Sequence, residues 1–377
     1  MGSLGERRDP PPDTTHDVES SHFRRMRALS AAMESLGPDR RVILKPPLIR
    51  DAGRAPAVSP APRRRYRAPL ALVAAAVALA LTLWAGSAPG PPHRTEIETP
   101  PAAAGPRVSW VETADERRIL DNDAIPGAID IFRFQANPRI LVLDFAALRD
   151  QGAMLNRVAA FAEKAGLPRE RLLNDPELDA AIRGGGDTSE TFYYGHDYSA
   201  ASLRRFFALA ERDRVRLTAQ ETALRGLLLT ERWLERDVAG GLISIPGAGA
   251  IGGIDRAARA TILRHELSHG EYFTNPGYAA FVRRFWTKAV TGQERAALRR
   301  YLLGQGYDDT QEDLMENEAQ AYLMFTDNGH FFTPAVIGMR PERLAELRRW
   351  FLDQMPPGWL RDSLGRELNE HEVGWRP

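Results

Sequence analysis

Cysteine is absent from all 377 residues of the chain. That absence excludes disulfides, thiolate metal sites and cysteine nucleophiles together, so any metal centre must be built from His, Asp and Glu. It leaves the compartment open, because exported and cytosolic proteins both manage without cysteine. Net charge is missing too: 50 Lys and Arg balance 50 Asp and Glu. No global positive excess advertises nucleic acid, which is not an expected partner. No internal repeat is present.

The first 67 residues have few large apolar side chains and are rich in Arg and Pro. Such a segment buries too little surface to offset chain entropy, so residues 1–67 are expected to be a disordered basic tail. The next segment is the reverse. APLALVAAAVALALTLWAG, residues 68–86, carries no charge and is long enough to cross a bilayer at about 1.5 Å per residue. RRRYR precedes it, and Trp84 stands near its far end, where an indole suits the interface. The positive-inside rule then puts the tail in the cytoplasm and everything beyond the run outside it. The alternative is a cleaved signal peptide, because Gly86-Ser87-Ala88 resembles a cleavage site. The preceding tail is far longer than an ordinary n-region, so an uncleaved anchor is favoured unless translation starts at Met26 or Met33. Residues 87–107 read as a Pro-rich spacer. The high Ala and Arg content suggests a GC-rich bacterial genome, so the outside compartment is expected to be the periplasm or the extracellular space.

From Val108 to Pro377 the composition turns globular. IFRFQ (131–135) and ILVLDF (140–145) flank the turn-like ANPR and read as a hairpin. Helical periodicity dominates afterwards, with Leu155, Val158, Ala159 and Ala162 on one face and Leu203, Phe206, Phe207 and Ala210 on another. Thr218 and Glu221 make a capping-box start, and Pro341 opens a late helix with Leu344, Leu347 and Phe351 on its buried stripe. The expected fold is a helix-rich α+β domain with a small sheet.

TILRHELSHGEYF, residues 261–273, places two histidines one helical turn apart. Asp255 is a plausible cap for this helix, and no Pro or Gly interrupts it before Gly270. His265 and His269 then project from one face, close enough for two imidazoles to converge on a Zn²⁺ at about 2.0–2.1 Å each. Glu266 points to the neighbouring angle, where it reaches water at the metal without ligating it. Ala258, Ile262, His265 and His269 share the stripe that should face the core. Two histidines desolvated on one stripe beside a carboxylate need a common reason, and a metal ion is one.

Zinc in a catalytic site keeps three protein ligands and an open position. TQEDLMENEAQAYLMF, starting at Thr310 with Asp313 as a capping partner, offers Glu312, Asp313, Glu316 and Glu318. Leu314, Glu318, Ala321, Tyr322 and Phe325 fall on one apolar stripe, which points Glu318 inward, whereas Glu316 shares what looks like a solvated face with Glu312 and Gln320. Glu318 is therefore the expected third ligand, with a buried Glu–Arg pair as the alternative.

HELSH followed by Asn317-Glu318 on a later helix resembles the zincin metallopeptidases, specifically the gluzincin branch, over residues 238–330. The resemblance implies Zn²⁺ as cofactor and a peptide or protein substrate. In several gluzincins an aspartate one turn beyond the glutamate orients a ligating histidine; here that position is Tyr322. A metzincin continuation fails, with Tyr272 where Gly is required and Asn275 where His is required. The resemblance also makes GLISIP (241–246) an edge strand for an extended substrate, with an internal strand as the alternative. GAGAIGG (247–253) matches G-x-G-x-x-G, but a metal-ligand helix follows it, so a lip over the cleft is expected instead of a nucleotide site. His196, Tyr272, Tyr322 and His330 are candidate oxyanion donors, and His196 is a reserve ligand.

The function these readings predict is a membrane-anchored zinc metallopeptidase with Glu266 as general base. Two alternatives stand beside it: a tethered binding or scaffold protein with a structural or vestigial zinc site, and a zinc amidase acting on cell-wall peptides.

Overall fold

The computed structural model describes residues 106–250 and 254–374. The basic tail, the apolar run 68–86, most of the spacer and residues 251–253 of the glycine-rich segment lie outside the described residues. Among those that are described, no helix is long and apolar enough to cross a membrane.

Two short strands, β1 (Arg107–Val108) and β2 (Glu112–Ala114), lead to a short helix, α1 (Glu116–Leu120). The expected hairpin follows as β3 (Ala128–Phe134) and β4 (Ile140–Phe145), antiparallel with Ile131 opposite Leu143. Next in order come α2 (Leu148–Ala162), α3 (Asp175–Gly184), β5 (His196–Ser199), α4 (Ala200–Arg212), α5 (Ala219–Thr230) and β6 (Gly241–Pro246). Helices complete the chain: α6 (Arg256–Thr274), α7 (Pro276–Arg284), α8 (Gly292–Gly304), α9 (Glu312–Phe325), α10 (Pro341–Gln354) and α11 (Trp359–Gly374). The architecture is a helix-rich α+β fold around a small mixed sheet of order β1-β3-β4-β6-β5, with β2 also on β3.

Local chemistry accounts for several boundaries. Thr218 and Glu221 close a capping box at the start of α5, and Pro341 opens α10. Asp255 accepts from the Ala258 amide and starts α6. Helix α9 departs from expectation: it begins at Glu312, Gln311 gives no side-chain cap, and the Thr310 hydroxyl donates to Asp308. No capping pair forms between Thr310 and Asp313, because the Asp308 turn has already taken the threonine.

GLISIP is a strand, but an internal one. β6 is parallel to β4 on one side and antiparallel to β5 on the other, so β5 is the terminal strand on this side of the sheet. All six residues of β6 are buried, as a strand covered on both faces requires.

Side chains alternate across the sheet and divide the core. Leu141, Leu143, Phe145, Tyr198 and Leu242 pack with α2, α4 and α5 on one face. Ile140, Val142, Ile243 and Ile245 pack with Ala258, Ile262, Leu263 and Leu267 of α6 on the other. A third cluster joins α7, α8, α9 and α10 through residues such as Phe281, Phe285, Leu323 and Phe351. Helix α9 is thus enclosed on nearly every side, and Glu316 and Gln320 are buried, not solvated. A single apolar stripe does not describe a helix that is surrounded: Gln320 instead accepts from the Tyr278 hydroxyl and donates to Ser268 on α6.

Candidate metal centre

The site hangs on α6, and α6 is fixed to the sheet along its length. Near its start, Arg259 forks onto both oxygens of Asp144 on β4 at 2.8 Å each and also donates to the carbonyls of Pro246 and Ile119. In its last turns Gly270 lets the helix lie close to the strands, since a Cβ there would stand 2.9 Å from Ile140 Cδ1. Glu271 next to it accepts from Asn137, Asn275 and Trp359. Between these anchors lie His265, Glu266 and His269. The Ser268–Gln320 bond ties this stretch to α9, two residues from Glu318.

These ties bring together the three side chains the sequence singled out. His265 Nε2 stands 3.9 Å from Glu318 Oε2, and His269 Nε2 stands 3.7 Å from Glu318 Oε1. Two ligands at 2.0–2.1 Å from a tetrahedral ion lie about 3.4 Å apart, so the trio needs only a small contraction to close on one. His269 and Glu318 are fully buried. Neither oxygen of Glu318 and neither nitrogen of His269 has a hydrogen-bond partner. Groups of this kind bury at a cost of several kcal/mol each unless something meets them.

Thr326 fixes the tautomer of His265. Its hydroxyl donates to the Ala321 carbonyl and therefore receives from His265 Nδ1, 2.8 Å away. With the proton on Nδ1, the lone pair of Nε2 is left facing Glu318. Tyr322, at the position where the resemblance led us to look for an orienting group, instead lies edge-on to the His265 ring with centroids 4.9 Å apart. Glu318, Tyr322 and Thr326 are spaced at i, i+4 and i+8, so the signal for Thr326 was present one turn further along the stripe.

Asp197 on β5 was not anticipated at all. Strand alternation turns His196 and Tyr198 to the far face, where their side chains bond each other at 2.8 Å, and turns Asp197 towards α6. Asp197 Oδ2 reaches within 3.9 Å of His269 Nε2. Together with His269 and Glu266 it forms a second grouping whose ligand atoms all lie within 4.8 Å of one another, as do those of His265, His269 and Glu318. Reading the histidine of YYGHDY as the chemical residue missed by one position: on a strand, neighbours face opposite ways.

Electrostatics mark the same spot. Burial, then the charges of Asp197 and Glu163, push the Glu318 carboxyl well above its ordinary range. Tyr307 offsets part of that rise, although its hydroxyl stays outside hydrogen-bond geometry to either oxygen. Glu266 is pushed well up by burial and by Asp197, Glu318 and Glu163. His265 is pushed well down by burial and by His269. Acids driven up and an imidazole driven down in one pocket share one leading cause, burial that disfavours the charged form of each.

A cavity of about 110 Å³ opens beside His265 and Glu266, walled by Tyr193, Tyr307, Tyr322, Phe331 and Lys164. Over Glu266 the chain passes so closely at Gly195 that a Cβ there would run into Oε1. The remaining candidates fall elsewhere. Tyr272 packs in the α7–α10 cluster, His330 is exposed, and His196 faces away; Tyr322 alone of the four lines the cavity. Of the glycine-rich segment only residues 247–250 are described, with Gly249 at φ +79°.

Comparison of the chain with protein-family models, curated proteins and solved structures finds no match.

Proposed function

We propose that this chain is a zinc-dependent metallopeptidase of gluzincin type, with His265, His269 and Glu318 as the residues that would hold the ion. One observation carries the reading: two imidazoles and a carboxylate from separate helices converge within 4.8 Å, and the buried atoms of His269 and Glu318 are unpartnered. Zinc fits that donor set, two nitrogens and one oxygen with no sulfur, and when bound it supplies Lewis acidity towards a carbonyl and towards water.

The chain's own residues supply the remainder. Thr326 holds His265 in the tautomer that presents Nε2. Glu266, adjacent to His265 on α6, takes the proton of the attacking water and returns it to the leaving amine. Gly195, having no Cβ, leaves that carboxylate room to stand where it does. The aromatic cavity beside it is the place for a substrate side chain. An extended substrate would add to β5, the terminal strand, and not to β6 as the sequence suggested. The apolar run 68–86 supports a single membrane anchor with the catalytic domain outside the cytoplasm.

A structural or vestigial zinc site is the second reading, and the approach of Asp197 to His269 favours it. The two are separated by exchanging Glu266 for Gln in the full-length chain. Hydrolysis of a quenched peptide library should fall by a factor on the order of 10²–10⁴ while the zinc content stays at that of the parent. Equal hydrolysis by the two proteins, or none by either, would refute the peptidase.

A further inference from the structure

The buried carboxylate of Asp197 has no part in the three-ligand site just described. It is 8 % exposed, and among the described residues no hydrogen bond to its side chain is found. Its one close polar contact is His269 Nε2 at 3.9 Å, the same separation as His265 Nε2 to Glu318 Oε2. Its oxygens are not fully enclosed as those of Glu318 are, so the carboxylate keeps some access to solvent while it faces His269. Its strand partner is Ile243, and its side chain faces His269 and Glu266 of α6.

Two groupings therefore surround His269: one with His265 and Glu318, the other with Asp197 and Glu266. The contacts of His269 with Glu318 and with Asp197 are both made by Nε2. One nitrogen lone pair makes one coordinate bond, so the two groupings cannot hold separate ions through that atom. If both take part in metal binding, they share a single ion. Glu266 is adjacent to His265 in the chain and crowded by Gly195, which leaves Asp197 as the additional donor.

Building on the zinc site proposed above, we infer that Asp197 is a fourth protein ligand, approaching the ion from the His269 side and closing its coordination in the resting chain. With Asp197 bound, such an ion would have no open tetrahedral position, and Asp197 would have to give way for water to come within reach of Glu266. The position of Asp197 suits that role. It lies on the strand that ends this side of the sheet, whose outer edge pairs with no other strand among the described residues, so an extended chain adding at β5 would act directly on the residue that closes the site.

The test is zinc affinity, measured by competition with a chromophoric chelator on the purified full-length chain in detergent, alongside the visible spectrum of the Co²⁺-substituted protein. Asp197→Ala should weaken zinc binding by at least about tenfold. The cobalt bands should shift as water enters the coordination sphere, and acetohydroxamate, which needs an open position, should bind more tightly. Asp197→Asn preserves the packing and removes the anionic donor, so it gives the same readings if the alanine variant does not fold. Unchanged zinc affinity and an unchanged cobalt spectrum in both variants would overturn the fourth ligand and leave the three-ligand site standing. Two zinc ions per chain would overturn the single shared ion. Failure of the parent to bind zinc would remove both this inference and the peptidase reading.

Discussion

Helix α6 carries two buried polar clusters, and they differ in how completely they are satisfied. Near its start Arg259 and Asp144 are 1 % and 0 % exposed, yet Asp144 has donors on both oxygens, and of the Arg259 nitrogens only Nε lacks an acceptor. Nearly three turns on, His269 and Glu318 are equally buried and leave four polar atoms without a hydrogen-bond partner. Both clusters lie on one helix and beside the same sheet. On the function proposed above, the difference is one of use. Polar groups that hold a fold together are matched within the protein, while groups kept for a ligand stay unmatched until it arrives.

Stability measurements can break that contrast. Arg259→Ala strands a buried aspartate and should cost about 3–5 kcal/mol in denaturant unfolding. Glu318→Gln replaces an unmatched acid with its neutral isostere and should change the stability of the chelator-treated chain by less than about 1 kcal/mol. Equal losses from the two variants would make Glu318 a structural residue and erase the distinction. Zinc then supplies the missing partner. At free zinc a hundred times its Kd the parent should gain about 2.7 kcal/mol, seen as a rise in the unfolding midpoint, and His269→Ala should gain none of it. Gly195→Ala acts on the base instead of the ligands. The new methyl group pushes Glu266 aside, so peptide hydrolysis should drop on the order of a hundredfold, while zinc content stays at parent level.

How far the sequence could be read follows from which residues act alone along the chain. His265, Glu266 and His269 were legible because helical spacing fixes their angles without any help from tertiary structure. Glu318 was selected by a stripe argument whose premise held only partly. Helix α9 is buried all round, so Glu316 and Gln320 went inward as well, and periodicity carries no signal for a helix enclosed on every side. β6 read correctly as a strand and wrongly as an edge. Edge status depends on β5, four residues of HDYS that no hydrophobic alternation announces. Asp197 shared that obscurity. Its role exists only once β5 pairs with β6 and turns it towards α6.

Thr326 sharpens the contrast by the smallest of these effects. Its hydroxyl is satisfied twice, donating to Ala321 and receiving from His265, so it belongs to the matched kind of polar group, yet its purpose lies in the unmatched one. Thr326→Val keeps the shape and removes both bonds. The imidazole of His265 is then free to carry its proton on either nitrogen, and zinc affinity should fall about tenfold, equivalent to about 1.4 kcal/mol. Thr326→Ser restores the acceptor and should restore the affinity, which a packing role would not predict. Stability of the zinc-free chain should change less than the affinity does, because a bond made to prepare a ligand contributes most when the ligand is present. A valine variant that unfolds easily yet binds zinc as tightly as the parent would return Thr326 to the structural side, with Arg259 and Asp144.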